Sequence, residues 1–440
     1  MTKLKALFDK TKYALLLFAV LVFNSVVVVG GGHIQHIYAV TYSMYLLDYS
    51  FGFCARFFPG QLYRWITGGN YSMEAVQSYC VIVLLVAFVL LAVLLNLFIL
   101  SAPEKERKLY VILALFFVSG PVTFSLYSYA MGIIDTLWII FTPVVIFLLG
   151  NRYTKCFAPL FIVPMVLVHF SAITCYVVLV LFILLYRASE EKSKTGKAVY
   201  SAMFAFSLLI AVGITVYFIM FESSNIKYTA EGMMERAKER SEIGEYTDLL
   251  YVNFDIFKIV TFQDNSIFDG SVFPYKSLKD DILIPEGSSL PQFLVNAVNA
   301  VWPNIDFHLK YYGSKGRIPD ELTSVIKQTV FISPVLAFVF GYWRHRIRLA
   351  KENKNRFQQL LFSLAIAYFP VALVFWFMCS IDHFRYYNHI MIVEGAFMLY
   401  VMYCNREDTA LWLEERFGKM NKGVLFLYAV IYFITGRISV

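Results

Sequence analysis

The sequence predicts an all-α polytopic membrane protein with about 11 transmembrane segments, two of which form a short hairpin. Of its 440 residues, 59% are hydrophobic and 16% are charged, whereas soluble domains contain about 45–50% apolar and about 25% charged residues. The basic residues are concentrated in short loops between apolar runs, and the net charge of the whole chain is +7. This pattern is typical of membrane topology, so no nucleic-acid partner is predicted.

The predicted organisation has three parts. They are an N-terminal membrane half at 1–221 that includes a first outer loop at 31–75, an extracytoplasmic loop domain at 222–328, and a C-terminal membrane part at 329–440. The middle part carries 16 acidic and 11 basic residues, which favours an outer location for this mixed loop domain. Four lysines precede the first span, so the positive-inside rule predicts a cytoplasmic N-terminus. We expect a multi-pass protein of the cell membrane, and specifically of a bacterial plasma membrane.

Each apolar run of suitable length is predicted to be a membrane span. These runs lie at 13–30, 77–100, 199–221, 329–343, 357–379, 389–404 and 423–436. A further stretch of about 42 residues joins the basic loops at 102–108 and 151–155, and two cytoplasmic loops require an even number of crossings. Two helices of about 20 residues fit the bilayer. Their outer turn falls near 127–135, which places Asp135 at the outer surface.

The segment 156–187 joins two basic loops through only about 30 apolar residues, which suit one or two helices. One tilted helix would place the basic loops on opposite faces, whereas a hairpin of two short helices keeps both in the cytoplasm. We favour the hairpin, with its break at His169, after Pro159 and Pro164. Broken helices in a membrane are tolerated where they line a cavity in the protein.

Two outer segments are predicted to form helices at the membrane surface. The string GFCARFFPGQLYRWITGG at 52–69 mixes aromatic residues with two arginines and has Pro59-Gly60 in its middle. This composition favours an interfacial or re-entrant helix pair. The string EGMMERAKERSEIGE at 231–245 predicts an amphipathic helix at the start of the loop domain. The loop domain is expected to cover the membrane part as a lid or platform.

Ionisable residues within or beside the apolar runs are the main indication of a functional site. Charge in or near hydrocarbon is costly and is usually retained for function. The topology places six such residues at the outer face, namely Asp48, Arg56, Asp135, His169, Asp382 and Arg385. Glu394 lies deeper in its span, where it should face protein or water in a supporting role. These residues predict a polar site that faces the extracytoplasmic side.

Each of these residues also has a purely structural interpretation. Asp48 and Arg56 suit a general base and a phosphate-binding cation, but they equally suit a surface salt bridge or a contact with a phospholipid headgroup. Asp135 at the start of a helix suits a capping residue. A lone histidine in an apolar run, such as His169, is typical of a hydrogen-bonded core residue.

Asp382 and Arg385 are three residues apart and can share a helix face, where they can pair or hold an anionic headgroup. The histidines and the six cysteines follow no metal-ligand spacing, so no metal and no cofactor are predicted, although a divalent cation would be compatible with the chemistry. Phosphate-loop and dinucleotide fingerprints are absent from the sequence. Energy for a reaction would therefore come from a preformed or lipid-linked donor, or from a gradient.

Three short strings resemble those of polytopic membrane proteins from bacterial polysaccharide clusters. DYSFGFCARFFPG at 48–60 is similar to their first outer loop, in which an aspartate precedes a Gly-Phe, Arg and Gly string. GIIDT and IDHFRYYN resemble aspartate-centred outer-loop motifs of the same group and of EpsG-like and Wzy-like polysaccharide polymerases. The layout of many spans and an outer domain resembles GT-C glycosyltransferases. The chain departs from the GT-C pattern because Tyr49 and Ser50, rather than a second acid, follow Asp48, and it lacks the repeated-arginine signature of Wzy polymerases.

The resemblance implies an integral membrane glycosyltransferase or polysaccharide polymerase for cell-surface polysaccharide biosynthesis. Its partners would be a sugar donor linked to polyprenyl phosphate or pyrophosphate, a glycan acceptor and membrane lipids. Asp48 would deprotonate the acceptor hydroxyl as the general base. Arg56 and Arg385 would stabilise the phosphate leaving group, because a guanidinium offers several planar donors to phosphate.

Three further roles follow from the same resemblance. Asp135 and His169 would orient the sugar or the acceptor, and Asp382 would hold Arg385. A transporter or flippase of lipid-linked glycans, or of another amphiphile, is the main alternative, and it would require polar residues along a whole path through the membrane. A non-enzymatic receptor or assembly scaffold is the third hypothesis, and it would require no convergent site.

Overall fold

A computed structural model of the protein shows a helical bundle. It describes residues 2–29, 35–37, 39–120, 123–124, 127–128, 131–225, 227–228, 230–241, 289, 320–379, 383–418, 421, 423–424, 426–427 and 430. These residues form helices and connecting turns, with no β-strand among them. The predicted all-α class is therefore confirmed for the described part of the chain.

The helices follow one another along the chain with short connections. Those of the N-terminal half are α1 (Thr2–Phe23), α2 (Ala39–Leu46), α3 (Phe58–Thr67), α4 (Met73–Ser101), α5 (Arg107–Ser119), α6 (Thr136–Gly150), α7 (Ile162–Val168), α8 (Tyr176–Glu190) and α9 (Lys194–Asn225). Then come α10 (Ala230–Arg240), α11 (Asp320–Glu352), α12 (Arg356–Cys379), α13 (His383–Cys404) and α14 (Arg406–Phe417). A π-helix at Asn24–Val29 continues α1, and 3₁₀ turns lie at Ala55–Phe57, Lys155–Phe161 and Phe170–Thr174.

Four of the described helices are long and apolar enough to cross a membrane. They comprise Phe8–Val27, Met73–Ser101, Lys194–Phe218 and Arg356–Trp376. Large apolar side chains on these helices are exposed, including Leu16, Ile82, Val86, Leu209, Val212, Leu364 and Val371. Extensive exposed apolar surface is unusual for a soluble protein, so this is a helical protein that associates with a membrane. The total of about 11 spans stays a prediction.

A buried amide fixes the antiparallel arrangement of α1 and α4. Asn96 Oδ1 accepts a hydrogen bond from the Ala14 N–H at 3.2 Å, and Asn96 Nδ2 donates to the Lys10 carbonyl at 2.9 Å. Lys10 and Ala14 are one helical turn apart, so the Asn96 amide bridges the backbone N–H and carbonyl groups of one turn of α1. A polar side chain among apolar helices needs such partners, and this contact brings the start of α1 beside the end of α4.

The predicted interruption of the 156–187 segment is confirmed. Pro159 lies in the 3₁₀ turn before α7, and α7 ends at Val168, just before His169, whose backbone is extended with φ −167° and ψ 134°. A second 3₁₀ turn follows, and α8 then begins at Tyr176. The two short helices bring His169 to the break between them, where its side chain can face the protein interior.

Several predicted boundaries are wrong. Pro59 does not separate two helices, because it lies at the start of α3, where its missing N–H costs nothing. The partner of α3 is instead α2, and the two approach so closely that a Cβ on Gly60 would lie 1.9 Å from the Leu47 carbonyl oxygen. The predicted span 329–343 is only the centre of α11, since helix-forming polar residues extend that helix at both ends.

Other predicted elements are seen only in part. The amphipathic helix predicted at 231–245 is confirmed as α10. The polar string after the predicted span 389–404, treated as a loop, contains α14. Most of the loop domain at 222–328 and of the final span at 423–436 lies outside the described residues.

Candidate functional site

Asp135 lies immediately before α6, next to a tight turn. Gly132 in that turn has φ +84°, a conformation that favours glycine, and a Cβ there would lie 2.8 Å from Cys80 Sγ. Tyr45 Oη donates a 2.7 Å hydrogen bond to the Gly132 carbonyl. The Asp135 side chain makes no capping hydrogen bond. Asp135 therefore occupies the cap position at the start of α6, but its carboxylate does not cap the helix and is used elsewhere.

The carboxylate of Asp135 binds Arg385 from the first turn of α13. Arg385 Nε donates to Oδ2 at 2.5 Å, and Arg385 Nη2 donates to Oδ1 at 2.7 Å. This is the bidentate geometry in which a guanidinium and a carboxylate interact most strongly. The Asp135 side chain is fully buried and that of Arg385 is 14% exposed. The pair therefore ties the start of α6 to the start of α13.

A buried histidine and two tyrosines extend this ion pair into the bundle. His389 Nε2 lies 2.9 Å from Asp135 Oδ2, so this nitrogen donates to the carboxylate. His389 Nδ1 then accepts, and Tyr127 Oη and Tyr176 Oη lie 3.1 and 3.2 Å from it. The two hydroxyls are themselves 2.8 Å apart. A continuous hydrogen-bonded chain therefore runs from Arg385 through Asp135 and His389 to the tyrosine pair.

These three inner residues are absent from the set predicted from the sequence. His389 had one usable signal, since it lies four residues after Arg385 and so shares a helix face with it. Tyr127 and Tyr176 have no comparable signal, because tyrosines in apolar runs are common in membrane helices. Their role follows only from the packing of α6, α8 and α13.

His169 contacts Arg56, which comes from the 3₁₀ turn before α3. Arg56 Nη2 lies 2.5 Å from His169 Nε2, and a guanidinium can only donate, so this nitrogen accepts. The proton of the neutral imidazole then lies on Nδ1, where Ser171 Oγ at 2.6 Å can accept it. The Ser171 N–H lies 3.0 Å from the same Nδ1. That contact would require the opposite tautomer, and we assign the tautomer from the Arg56 contact because a guanidinium cannot accept.

Arg56, His169 and Arg385 together line one cavity of about 40 Å³. The remaining walls are the apolar side chains of Met44, Leu47, Phe57 and Ile134. Trp138 lies behind it, with its ring 6.4 Å from that of His169 and 5.1 Å from that of His389. Three predicted site residues therefore line one cavity. A fourth, Asp135, joins them through its contact with Arg385.

Asp48 lies in a neighbouring network and does not line this cavity. Its Oδ1 accepts the Ser50 N–H at 2.7 Å. Its Oδ2 is surrounded by three donors, namely Arg64 Nη1 at 3.2 Å, Tyr71 Oη at 3.0 Å and Arg240 Nη1 at 3.0 Å. The Asp48 side chain is fully buried. Its loop nevertheless adjoins the cavity, because the preceding residue, Leu47, forms part of the wall.

Arg240 joins α10 to this loop. Besides Asp48, it donates to the Leu46 carbonyl at 2.8 Å and to Ser50 Oγ at 2.8 Å. Its guanidinium also lies 4.6 Å from the centre of the Phe51 ring. One side chain thus makes several charge-assisted contacts, which are the stronger kind. This contact fastens α10 beside the cavity.

The electrostatic setting of Asp48 keeps it ionised. Burial alone would raise the pKa of Asp48, but hydrogen bonds from Ser50 and the charge of Arg240 outweigh that effect and lower the pKa below its ordinary value. The carboxylate is therefore charged at neutral pH, and its ion pairs are lost only as the pH falls through the lowered pKa. In this arrangement Asp48 is a weak base, since protonation would break its pairs with two arginines.

The Asp48→Asn variant should release α10 from the membrane part. The neutral amide cannot form an ion pair with Arg240, and a hydrogen bond to a charged group contributes about 1.5–3 kcal/mol. We expect trypsin to cleave after Lys238 and Arg240 about tenfold faster in this variant than in the wild type. The matched control is Asp9→Asn, which removes an exposed salt bridge to Lys12. Equal cleavage rates in Asp48→Asn and in wild type would show that Asp48 does not hold α10.

The structure describes only one of the two predicted supporting residues, Asp382 and Glu394. Asp382 lies outside the described residues, and the carboxylate that binds Arg385 in the described part is Asp135. Glu394 is 2% exposed, and its Oε2 accepts a hydrogen bond from Trp343 Nε1 at 3.2 Å. Its Oε1 has no hydrogen-bond partner among the described residues. Glu394 is thus buried in the bundle, as predicted, but it does not contact the cavity.

Two apolar grooves flank α13. The first, of about 390 Å³, lies between α5, α11 and α13 and runs from Met391, two residues after His389, to Leu413 in α14. The second, of about 530 Å³, lies between α4, α6, α8 and α13, and it runs from Tyr176 to Arg187. The second groove therefore begins at Tyr176, a member of the hydrogen-bonded chain, and extends away along the helices.

No group of three or more His, Cys, Asp or Glu side chains is placed to hold a metal ion in the part of the chain that the structure describes. No protein-family model matches the chain, and neither the curated proteins nor the solved structures include a significant match. The chemistry of the site therefore has to follow from its own geometry.

Proposed function

We propose that this protein is an integral membrane glycosyltransferase or polysaccharide polymerase that uses a sugar donor linked to polyprenyl phosphate or pyrophosphate. One observation carries the proposal. Arg56 and Arg385, which are far apart in the sequence, line the same small cavity together with His169. Guanidinium pairs suit planar, multi-donor recognition of phosphate. The apolar walls strengthen those interactions because they exclude water.

The size of the cavity suits the phosphate rather than the whole donor. A volume of about 40 Å³ accommodates about three water-sized groups. Phosphate oxygens fit that space, whereas a sugar ring does not. The sugar and the acceptor would therefore lie on the side of the loop domain. The groove of about 390 Å³ is lined almost wholly by apolar side chains, so it suits the prenyl tail.

The proposed reaction breaks the bond between the anomeric carbon and the phosphate oxygen, and the electron pair stays on the phosphate. The acceptor oxygen bonds to that carbon and loses its proton to a base. Arg56 and Arg385 stabilise the charge that develops on the leaving group. Asp135 holds Arg385 in place, and His389 holds Asp135.

Asp48 remains the proposed base, with one added condition. Its carboxylate is now engaged by Arg64 and Arg240, so proton transfer requires Arg240 to withdraw with α10. Withdrawal would also open the loop beside the cavity to the acceptor. A proposed cycle therefore couples movement of the outer helix to activation of the base. The membrane orientation in this proposal has the cavity at the extracytoplasmic face and the N-terminus in the cytoplasm.

The test uses wild-type protein reconstituted in liposomes. The protein is incubated with a panel of sugars linked to polyprenyl phosphate or pyrophosphate, and release of the free lipid carrier is measured. The proposal expects release from at least one donor and a loss of release in Arg56→Gln. Arg348→Gln is the control. Arg348 is exposed, lies near the C-terminal end of α11, and pairs with Glu352. Absence of release from every donor would overturn the proposal.

Transport is the second candidate function, and Glu394 is the observation that favours it. A buried carboxylate with one unpartnered oxygen deep in a bundle is typical of ion or substrate paths. The same liposomes can be used to measure movement of a fluorescent lipid-linked glycan between leaflets. Movement that Glu394→Gln abolishes, without any release of carrier, would favour transport over transfer.

A further inference from the structure

The groove between α4, α6, α8 and α13 has a cation at its far end. Its mouth is formed by Gly150, Asn151, Arg187, Tyr403 and Cys404, and its inner end by Tyr176 and Phe124. Between these ends the lining is mainly aliphatic and aromatic. Tyr176 and Arg187 are eleven residues apart on α8, which corresponds to about 17 Å along a helix. The hydrocarbon core of a bilayer is about 30 Å thick, so the groove is about one leaflet long.

Arg187 is not neutralised within the described part of the protein. Its Nη2 donates a 3.3 Å hydrogen bond to Tyr200 Oη. Its Nε is buried and has no hydrogen-bond partner among the described residues, and no described carboxylate forms a salt bridge with it. A guanidinium group that is removed from water without an acidic partner favours a bound anion. Arg187 therefore faces the groove with spare hydrogen-bonding capacity for an anion.

A second cation lies beside the first. Lys155 Nζ is 4.5 Å from the centre of the Tyr200 ring, and the Arg187 guanidinium is 5.6 Å from the centre of the same ring. Lys155 also forms no salt bridge with a described carboxylate, although Glu191 lies within electrostatic range of it. Two cations thus contact one aromatic ring, and one of them, Arg187, lines the mouth of the apolar groove. A phosphate that carries an apolar chain would complement both the cations and the groove.

We propose that this groove binds an anionic phospholipid of the leaflet at the basic end of the bundle. The phosphate lies at Arg187 and Lys155, and one acyl chain occupies the groove towards Tyr176. Charge complementarity supports a lipid phosphate at the mouth, and basic pockets between membrane helices are known to bind such headgroups. The length of one leaflet favours an acyl chain of a phospholipid over a long prenyl chain. The phosphate end of this groove is distinct from the proposed donor cavity, the inner end reaches Tyr176 of the hydrogen-bonded chain, and the proposal does not rest on the transferase activity.

Gly150 allows the groove to be closed without removing a charge. A Cβ on Gly150 would have no heavy atom within 4 Å, so its surroundings are open. Since Gly150 lines the mouth, Gly150→Leu should fill the space that the acyl chain needs. Arg187→Gln removes the cation and keeps an uncharged side chain of similar polarity. Arg152→Gln is the matched control, because Arg152 is exposed and contacts its neighbour Tyr153 rather than the groove.

The test measures lipid retained by the full-length protein. Wild type and the three variants are placed in mixed micelles that contain equal amounts of phosphatidylglycerol and phosphatidylcholine. The protein is repurified, and the bound lipids are quantified by mass spectrometry. We expect wild type and Arg152→Gln to retain phosphatidylglycerol selectively. Arg187→Gln should retain about fivefold less, the effect of one cation near an anionic lipid, and Gly150→Leu should retain less of both lipids.

Equal retention of phosphatidylglycerol by wild type, Arg187→Gln and Gly150→Leu would overturn the proposal. Retention of phosphatidylcholine and phosphatidylglycerol in the same ratio by wild type would also overturn it, because the cations would then have no role. If Arg187→Gln does not fold, Gly150→Leu decides the outcome, since it keeps both cations. None of these measurements uses a sugar donor, so failure here is distinct from failure of the proposed transferase activity.

Discussion

Asp135→Asn should destabilise the folded protein by about 3–5 kcal/mol, the cost of breaking a buried ion pair at one partner. The amide cannot neutralise Arg385, whose side chain is only 14% exposed. It can also accept only weakly from His389, which is fully buried. Two buried donors would thus lose their charged acceptor in one substitution. The start of α6 would then no longer be tied to the start of α13.

Thermal unfolding of purified protein in a fixed detergent measures this effect. The variant should unfold at a markedly lower temperature than wild type, whereas Asp9→Asn, which removes an exposed ion pair, should unfold at nearly the same temperature. The double variant Asp135→Asn with Arg385→Gln should recover part of the loss, because it leaves no buried guanidinium. An unchanged unfolding temperature in Asp135→Asn would show that the buried ion pair does not stabilise the bundle.

Arg56→Gln should lower the rate of donor cleavage by about 10²–10³-fold, the usual effect of removing one preorganised donor to a developing negative charge. The reduction should appear in kcat more than in KM, because the charge on the phosphate increases as its bond to the sugar breaks. Arg56→Lys should recover only part of the rate, since an ammonium lacks the planar fork of a guanidinium. The folded structure should survive, because Arg56 lies in a 3₁₀ turn rather than within a span.

Initial rates at several donor concentrations separate the two kinetic constants. Arg348→Gln, the exposed control at the other end of the bundle, should keep wild-type values of both. A large rise in KM with an unchanged kcat would mean that Arg56 only binds the donor in its ground state. Wild-type kinetics in Arg56→Gln would exclude Arg56 from the site.

The sequence predicted the ionisable residues at the cavity, but not which of them contact one another. Arg56, His169, Asp135 and Arg385 were chosen because ionisable groups in apolar surroundings are costly, and the structure brings them together. Their contacts join segments that are 113 and 250 residues apart. No local pattern encodes such contacts, so the pairing of Arg385 with Asp135 could not be distinguished from pairing with the nearer Asp382.

Asp48 shows a different limit of prediction. Its loop position suggested an accessible base, but three donors surround Oδ2 in the structure. One of them, Arg240, lies on a helix whose amphipathic pattern was visible in the sequence although its docking site was not. By contrast, the break at His169 was predictable, because prolines upstream and a polar residue in an apolar run both act locally. Local chemistry thus predicted the elements, and packing decided their partners.

The most direct test of the central claim is equilibrium binding of polyprenyl phosphate, compared with the same polyprenol without phosphate, to protein in nanodiscs. If Arg56 and Arg385 form a phosphate site, wild type should bind the phosphorylated lipid more tightly, by about 1.5–3 kcal/mol for a charged hydrogen bond. Arg56→Gln should lose most of that preference, while Arg348→Gln should keep it. Equal affinity of wild type for the two lipids would contradict the account.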